Sequence, residues 1–262
     1  MTAEPGYSDI LYEESDGVAT ITINRPEKLN ALRMVTYEEL LDALQRASWN
    51  RSIGVIVLTG AGERAFCVGG DTSDSKAERK GRGIIGVPLE QIHQAIRDAP
   101  KPVIAKVRGY AIGGGNALCT ICDLTIAGES AQFGQVGPKV GSVDPGYGTA
   151  YLARIVGEKK AREFWYLCRR YSAAEAESFG LVNAVVADDA LDGEVARWCA
   201  ELLQRSPTAL AIAKASFNAD SESIRGISQM GFNAVALYYG TEEAREAGRA
   251  FREKRAPDFG RT

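Results

Sequence analysis

Between residues 18 and 23 the chain alternates, with Val18, Thr20 and Thr22 on one face and Ala19, Ile21 and Ile23 on the other, and then meets Asn24-Arg25-Pro26. A period of two closed by a proline turn predicts a strand. Tyr37, Leu40, Leu41 and Leu44 recur at helical spacing and predict an amphipathic helix over 35–48. Residues 53–58 are a short apolar run rich in β-branched side chains, closed by Thr59-Gly60-Ala61-Gly62, which reads as a buried strand. Pro88 opens a helix carrying Leu89, Ile92 and Ile96. Residues 103–107, 124–127 and 181–186 read as further short strands.

From about residue 157 the pattern turns mostly helical. Ser172-Ala173-Ala174-Glu175 is a capping box, and Ser206-Pro207 sets an N-cap before a proline at the first helical position. Residues 191–203 and 209–217 carry helical apolar spacing, and Thr241 caps a last helix rich in Glu and Arg. No low-complexity linker divides the chain, so the pattern predicts an α/β core over residues 1–200 and a helical region over 201–262. Residues 72–87, with many charges and no periodicity, predict a mobile surface loop. Gly81, Gly83 and Gly86 match the spacing of a nucleotide-binding turn, but a charged loop precedes them where a strand is required, so none is expected.

Composition narrows the function. The 262 residues hold 31 Lys plus Arg against 34 Asp plus Glu, a net charge of −3, which gives no basic field for nucleic-acid phosphates. No apolar run approaches the roughly 20 residues that cross a bilayer. Residues 1–16 have neither the basic start nor the apolar stretch of a signal peptide. A cytoplasmic protein without nucleic-acid or membrane partners is expected. Five cysteines form no disulfide framework, and Cys119 and Cys122, although spaced like a redox pair, sit in an apolar stretch and read as small buried hydrophobes. A single histidine, His93, removes every multi-histidine metal site and reads as a structural residue on a helix face. No metal is expected.

Candidate chemistry gathers in three glycine-rich stretches: Phe66-Cys67-Val68-Gly69-Gly70-Asp71, Gly109 to Asn116, and Phe133 to Gly148. Glycines after a strand leave N–H groups unpaired and let a ligand approach the backbone. Two such amides can hold one developing negative oxygen; tight packing turns are the competing reading. In the third stretch Ser142, Asp144 and Tyr147 place a hydroxyl, a charge and a phenol within six residues, which suits a polar pocket, with a helix-capping Asp as the alternative.

Asn24-Arg25-Pro26 with Leu29-Asn30-Ala31, Gly69-Gly70-Asp71, Ile112-Gly113-Gly114-Gly115, Cys122-Asp123 and Phe133-Gly134-Gln135 together resemble the crotonase (enoyl-CoA hydratase/isomerase) superfamily, over nearly the whole chain. The resemblance implies an α/β spiral of ββα repeats, a helical C-terminal trimerisation region, and homohexamers built as a dimer of trimers. It implies an acyl-CoA substrate and no separate cofactor, with the thioester carbonyl between the amides of Gly70 and Gly114. Further substrate contacts implied are Val68, Gly69, Asp71, Tyr110, Ile112, Gly113, Val136 and Gly137, with Lys28, Leu29 and Lys254 toward the adenine and phosphates.

The departures from the family pattern set the reaction. Hydratases of the superfamily carry two glutamates, at positions that are Ala117 and Gly137 here, so the paired acid and base for adding water to a double bond is absent. Gly137 to Ser142, Asp144, residues 153–163 and Tyr239-Gly240-Thr241 resemble the branch holding 2-ketocyclohexanecarboxyl-CoA hydrolase and dihydroxynaphthoyl-CoA synthase. The first opens a β-keto ring with water, and the second closes a ring by Claisen condensation. The synthase carries a tyrosine in its loop, whereas residues 72–87 hold no aromatic residue, so ring opening is the expectation and ring closure the alternative. A hydratase or isomerase, or a non-enzymatic binding protein of this fold, are remoter readings. The resemblance implies Asp144 as base, oriented by Ser142, Tyr239 contributed across a subunit contact, and Tyr147 as a wall residue. It also leaves open a bound bicarbonate near Gly137, while Lys80 and Arg82 read as a solvated loop more readily than as phosphate contacts.

Overall fold

The computed structural model describes residues 6–73 and 81–260. Strands β1 (Ile10–Ser15) and β2 (Val18–Ile23) form an antiparallel hairpin that pairs Ile10 with Ile23. Asp16 and Gly17 both take positive φ in its two-residue turn, which fits Asp-Gly in the twisted hairpin of a right-handed sheet. Helix α1 (Met34–Trp49) follows. Then a unit recurs: a long strand, a short strand and a helix. Its three copies are β3 (Val55–Gly60), β4 (Ala65–Cys67) and α2 (Leu89–Asp98); β5 (Val103–Val107), β6 (Tyr110–Ile112) and α3 (Gly114–Ile121); and β7 (Leu124–Gly128), β8 (Gln132–Gly134) and α4 (Gly137–Val140).

The long strands join one sheet, in the order β1-β2-β3-β5-β7 with β10 (Ala184–Val186) at its edge, parallel from β2 onward. The short strands form a second sheet, β4-β6-β8 with β9 (Arg170–Ser172) antiparallel at the end. This is the expected ββα spiral. Helices α5 (Leu152–Val156), α6 (Glu158–Leu167) and α7 (Ala173–Ser178) lie among these last strands, and α8 (Leu191–Leu203), α9 (Pro207–Asp220), α10 (Ser223–Tyr238) and α11 (Glu242–Arg252) complete the chain.

The large sheet is buried on both faces, which is why its strands read as continuous apolar runs. Ile56 and Leu58 of β3 enter the main core, whereas Val55 and Val57 pack on the other side with Leu191, Val195 and Cys199 of α8. The capping box at Ser172 and the caps at Ser206 and Thr241 are all formed. Cys119 and Cys122 are buried free thiols.

Several expectations need correction. Residues 181–183 are not strand, and β10 begins only at Ala184. The short strands β4, β6, β8 and β9 escape the pattern because three residues carry no detectable period. Of the charged 72–87 segment, residues 74–80 lie outside the described residues, but its far end is no surface loop: Val87 is fully buried and Ile85 nearly so. No helix among the described residues is long and apolar enough to cross a membrane.

Candidate active site

The motif at residues 24–31 is a clasp. After a single 3-10 turn (Pro26–Lys28), Leu29 and Asn30 adopt left-handed φ values of 52° and 56°. Asn30 holds that strain locally: its Oδ1 accepts from the Arg25 amide at 3.0 Å, and its Nδ2 donates to the carbonyls of Ala61 (3.0 Å) and Ala65 (2.7 Å). The Arg25 guanidinium binds Asp71 Oδ2 at 3.1 Å, lies 3.7 Å from Asp9, and also donates to the Ala31 carbonyl. Burial alone raises the Asp71 pKa, but hydrogen bonds from Ser73 and Arg25 outweigh it and hold the carboxyl below its usual range. Asp71 is therefore a committed ion-pair partner.

This clasp fixes the first glycine turn. Leu32 bridges it on both sides, its amide donating to Gly69 O and its carbonyl accepting from Asp71 N, both at 2.8 Å. The Gly70 amide between them has no backbone acceptor among the described residues. Gly114 opens α3, where the first amides have no intrahelical partner and the helix dipole is positive. The two turns touch. Gly69 has φ +84°, and a Cβ on it would lie 2.8 Å from the Gly114 nitrogen, so only glycine lets the amides converge.

Across from them, Gly137 to Asp144 folds back as α4 and a loop. Asp144 is only 7% exposed. Its Oδ1 accepts from the Gly148 amide at 3.4 Å, while Oδ2 has no hydrogen-bond partner among the described residues. Burial drives its pKa up to about 7, with the Gly148 bond opposing. The following residues Tyr147–Tyr151 wind as a π-turn, a rare local geometry that recurs near functional sites, pinned by the Trp165 indole N–H on Gly148 O at 2.6 Å. The Ser142 hydroxyl bonds the Tyr239 phenol at 2.8 Å.

These parts enclose a cavity of about 590 Å³. Of the expected residues it gathers Lys28, Leu29, Val68, Gly69, Gly70, Asp71, Tyr110, Ile112, Gly113, Gly114, Val136, Gly137, Ser142, Asp144 and Tyr239. Lys254 is not on its wall, where Phe251 stands instead, about one turn earlier. Tyr239 reaches the cavity from the chain's own α10 end, so no neighbouring subunit is needed to supply it. Ser142 is engaged by Tyr239, and it is Gly148 that holds Asp144. Tyr147 stands behind Asp144, with its ring edge-on to His93 at 5.7 Å, and is not a wall residue. Arg82 pairs with Glu38, and Lys80 lies outside the described residues.

Sequence reasoning passes over Arg170, Trp165 and Phe251 on the wall, and His93 behind it. His93 does leave a signal: with Leu89, Ile92 and Ile96 it falls at helical spacing on the stripe that its helix buries. It is fully enclosed, and its Nε2 lies 3.6 Å from Asp144 Oδ2.

A cavity lined by the neighbouring Gly70 and Gly114 amides and by a buried carboxylate with no charged commitment among the described residues can stabilise an anionic oxygen while a proton is moved beside it. Such a site on a ββα spiral is that of a CoA-thioester-processing protein, and the family match bears this out. The sequence profile of the enoyl-CoA hydratase/isomerase family matches residues 13–262, and the chain belongs to that family, the crotonases, whose members act on CoA thioesters. Among solved structures, an enoyl-CoA hydratase from Mycobacterium avium subsp. paratuberculosis is 31% identical, covering 96% of this chain and 98% of its own at a TM-score of 0.87. An enoyl-CoA hydratase/isomerase from Pseudoalteromonas atlantica is 29% identical over 97% of this chain and 100% of its own, with a TM-score of 0.86. A methylmalonyl CoA decarboxylase is 26% identical over 98% and 100%, with a TM-score of 0.84.

Proposed function

We propose that the chain opens a cyclic β-keto acyl-CoA by hydrolytic carbon–carbon cleavage, with 2-ketocyclohexanecarboxyl-CoA giving pimeloyl-CoA as the expected case. One observation carries this reading: among the described residues the cavity offers a single uncommitted carboxylate, Asp144, where hydration of a double bond needs two. The hydratase positions are filled by Ala117, buried off the cavity, and by Gly137. The methylmalonyl CoA decarboxylase relative, by its name, performs a reaction other than hydration on this fold, which supports looking beyond hydratase chemistry here.

Asp144 takes a proton from water, and the hydroxide adds to the ring ketone. The adduct collapses, the bond from that carbon to the thioester α-carbon breaks, and its electron pair moves onto the thioester oxygen between the amides of Gly70 and Gly114. Tyr239, fixed by Ser142, donates to the ketone-derived oxygen as charge builds there. The proton held by Asp144 then returns to the α-carbon. One water is consumed, and the thioester survives with a new carboxylic acid at the far end. Lys28, Leu29 and Arg170 on the cavity lining suit the polar end of CoA.

A Cβ on Gly137 would sit 2.5 Å from Ser142 O and 2.8 Å from the Trp165 ring, so a bicarbonate beside Gly137 would have to lie on its cavity side, and no step is assigned to the anion. Ile212, Phe217, Met230 and Leu237 are largely exposed on the C-terminal helices, which supports assembly with further copies, a hexamer being the expectation.

Incubation with 2-ketocyclohexanecarboxyl-CoA tests the reading. The expected product has gained one water and kept its thioester by mass spectrometry; release of free CoA or an unchanged substrate contradicts it. Ring closure is the second reading, and formation of a naphthoyl-CoA from an o-succinylbenzoyl-CoA would favour it.

A further inference from the structure

His93 and Asp144 come from separate elements, and the ring nitrogens of the one and Oδ2 of the other are all buried. The His93 ring is fully buried on α2, and Asp144 is brought to it by the loop after α4. Nε2 and Oδ2 are 3.6 Å apart. Among the described residues neither ring nitrogen has a hydrogen-bond partner, nor does Oδ2. Buried polar atoms left without partners cost about 1–3 kcal/mol each, so an orphaned donor facing an orphaned acceptor calls for an explanation. A hydrogen bond from Nε2–H to Oδ2 would satisfy both, and hydrogen bonds at reacting groups are often long until substrate is bound.

The surroundings leave His93 no other charged partner among the described residues. Tyr147 packs edge-on at 5.7 Å from the Asp144 segment, and Phe232 of α10 covers the ring at 6.2 Å. Ser228, also on α10, lies against Gly146. Arg97, one turn along α2, stacks its guanidinium over Tyr151 at 4.6 Å and Tyr147 at 5.8 Å and donates to Ser221 Oγ. Arg225, near Tyr147, is paired with Asp98 and Glu222. On the cavity side stand the Ser142 and Tyr239 hydroxyls, bonded to each other.

We propose that His93 is a positioning residue for Asp144, its Nε2–H donating to Oδ2 when that carboxyl is ionised and so fixing the carboxylate toward the cavity. The assignment rests on reading Asp144 as the base. Burial supports a neutral imidazole in this role, because enclosure pushes the His93 pKa down to about 3, and a neutral ring with Nε2–H is a donor without adding a charge to the core. Free Asp and His would place a proton on the imidazole at about pH 5; the folded pair places it on the carboxyl. At that pH folding moves the proton from the ring to the carboxyl.

The titration that decides the test needs no substrate. In the full-length chain with ¹³C-labelled aspartate carboxyls, infrared titration follows the carboxyl band that disappears in Asp144→Asn. His93→Phe and His93→Leu both remove the donor, and either suffices if the other fails to fold; His93→Gln restores an N–H. The expected result is an Asp144 midpoint raised by about one pH unit in the Phe or Leu variant and nearer wild type in Gln, with kcat reduced in the same order and KM little changed. A midpoint unmoved or lowered in the Phe or Leu variant, or raised equally in all, overturns the proposal. Inactivity of the wild-type chain on the cyclic ketone would contradict the ring-opening reading and leave this titration to stand or fall alone.

Discussion

In the proposed ring opening Asp144 is the base, and its environment sets its pH behaviour. Because burial holds its pKa near 7, the ionised base accumulates only as pH rises through neutrality, and kcat/KM should climb on the acid side with a midpoint near 7. The same shift costs stability. A carboxyl whose folded pKa exceeds its unfolded value binds more protons when folded, so its penalty is absent below about pH 4 and complete above about pH 7. Asp144→Asn should therefore abolish turnover, by about 10²–10⁴-fold, yet melt higher than wild type at about pH 8, with the gain closing toward about pH 4. Equal melting temperatures under the alkaline condition would argue against a buried charge. Tyr239→Phe removes a donor without opening a cavity, and should slow kcat by about 10² with an unchanged melting temperature.

At the scale of elements, the site is made by two turns that must touch. Gly69→Ala would place a methyl 2.8 Å from the Gly114 nitrogen in a backbone conformation disfavoured for L residues. A stability loss of about 1–2 kcal/mol in denaturant melts and a larger loss of rate are expected. A wild-type rate in that variant would show that the amides need not converge. Much of this is legible in the chain itself. The long strands announce themselves because both faces, Ile56 and Leu58 against Val55 and Val57, are covered, and the glycine turns because unpaired amides after a strand have few other uses. Contacts between distant segments are not legible: the Ser142–Tyr239 bond joins residues 97 apart, and the three-residue strands exist only through their neighbours. His93 belongs with these. Its place on the apolar stripe of an amphipathic helix predicts burial, but only the fold sets Asp144 opposite it.

Over the whole molecule, the C-terminal helices are fastened to the spiral by a buried charge. Lys214 of α9 donates to the carbonyls of Ile96 (2.8 Å) and Lys101 (3.0 Å) and to Asp123 Oδ2 at 2.7 Å, and Asp123 also accepts from Val103 N. The Cys122-Asp123 motif is thus structural, a peg for a helix 91 residues on. Lys214→Met leaves the Ile96 and Lys101 carbonyls and the part-exposed Asp123 carboxylate without their donor, and should cost about 1–2 kcal/mol in chemical denaturation while leaving kcat near wild type. A large kcat loss without destabilisation would place Lys214 in the chemistry instead. Fastening these helices also sets Tyr239, at the end of α10, against Ser142 and the cavity.

In the proposed reaction a lone buried carboxylate activates water against a ring ketone while two backbone amides carry the thioester oxygen. Turnover of 2-ketocyclohexanecarboxyl-CoA in H₂¹⁸O, read by tandem mass spectrometry, tests it most directly. The account predicts one ¹⁸O in the newly freed carboxyl group and none in the thioester carbonyl. Label in the thioester-derived carbonyl, or its appearance only alongside released CoA, would contradict it.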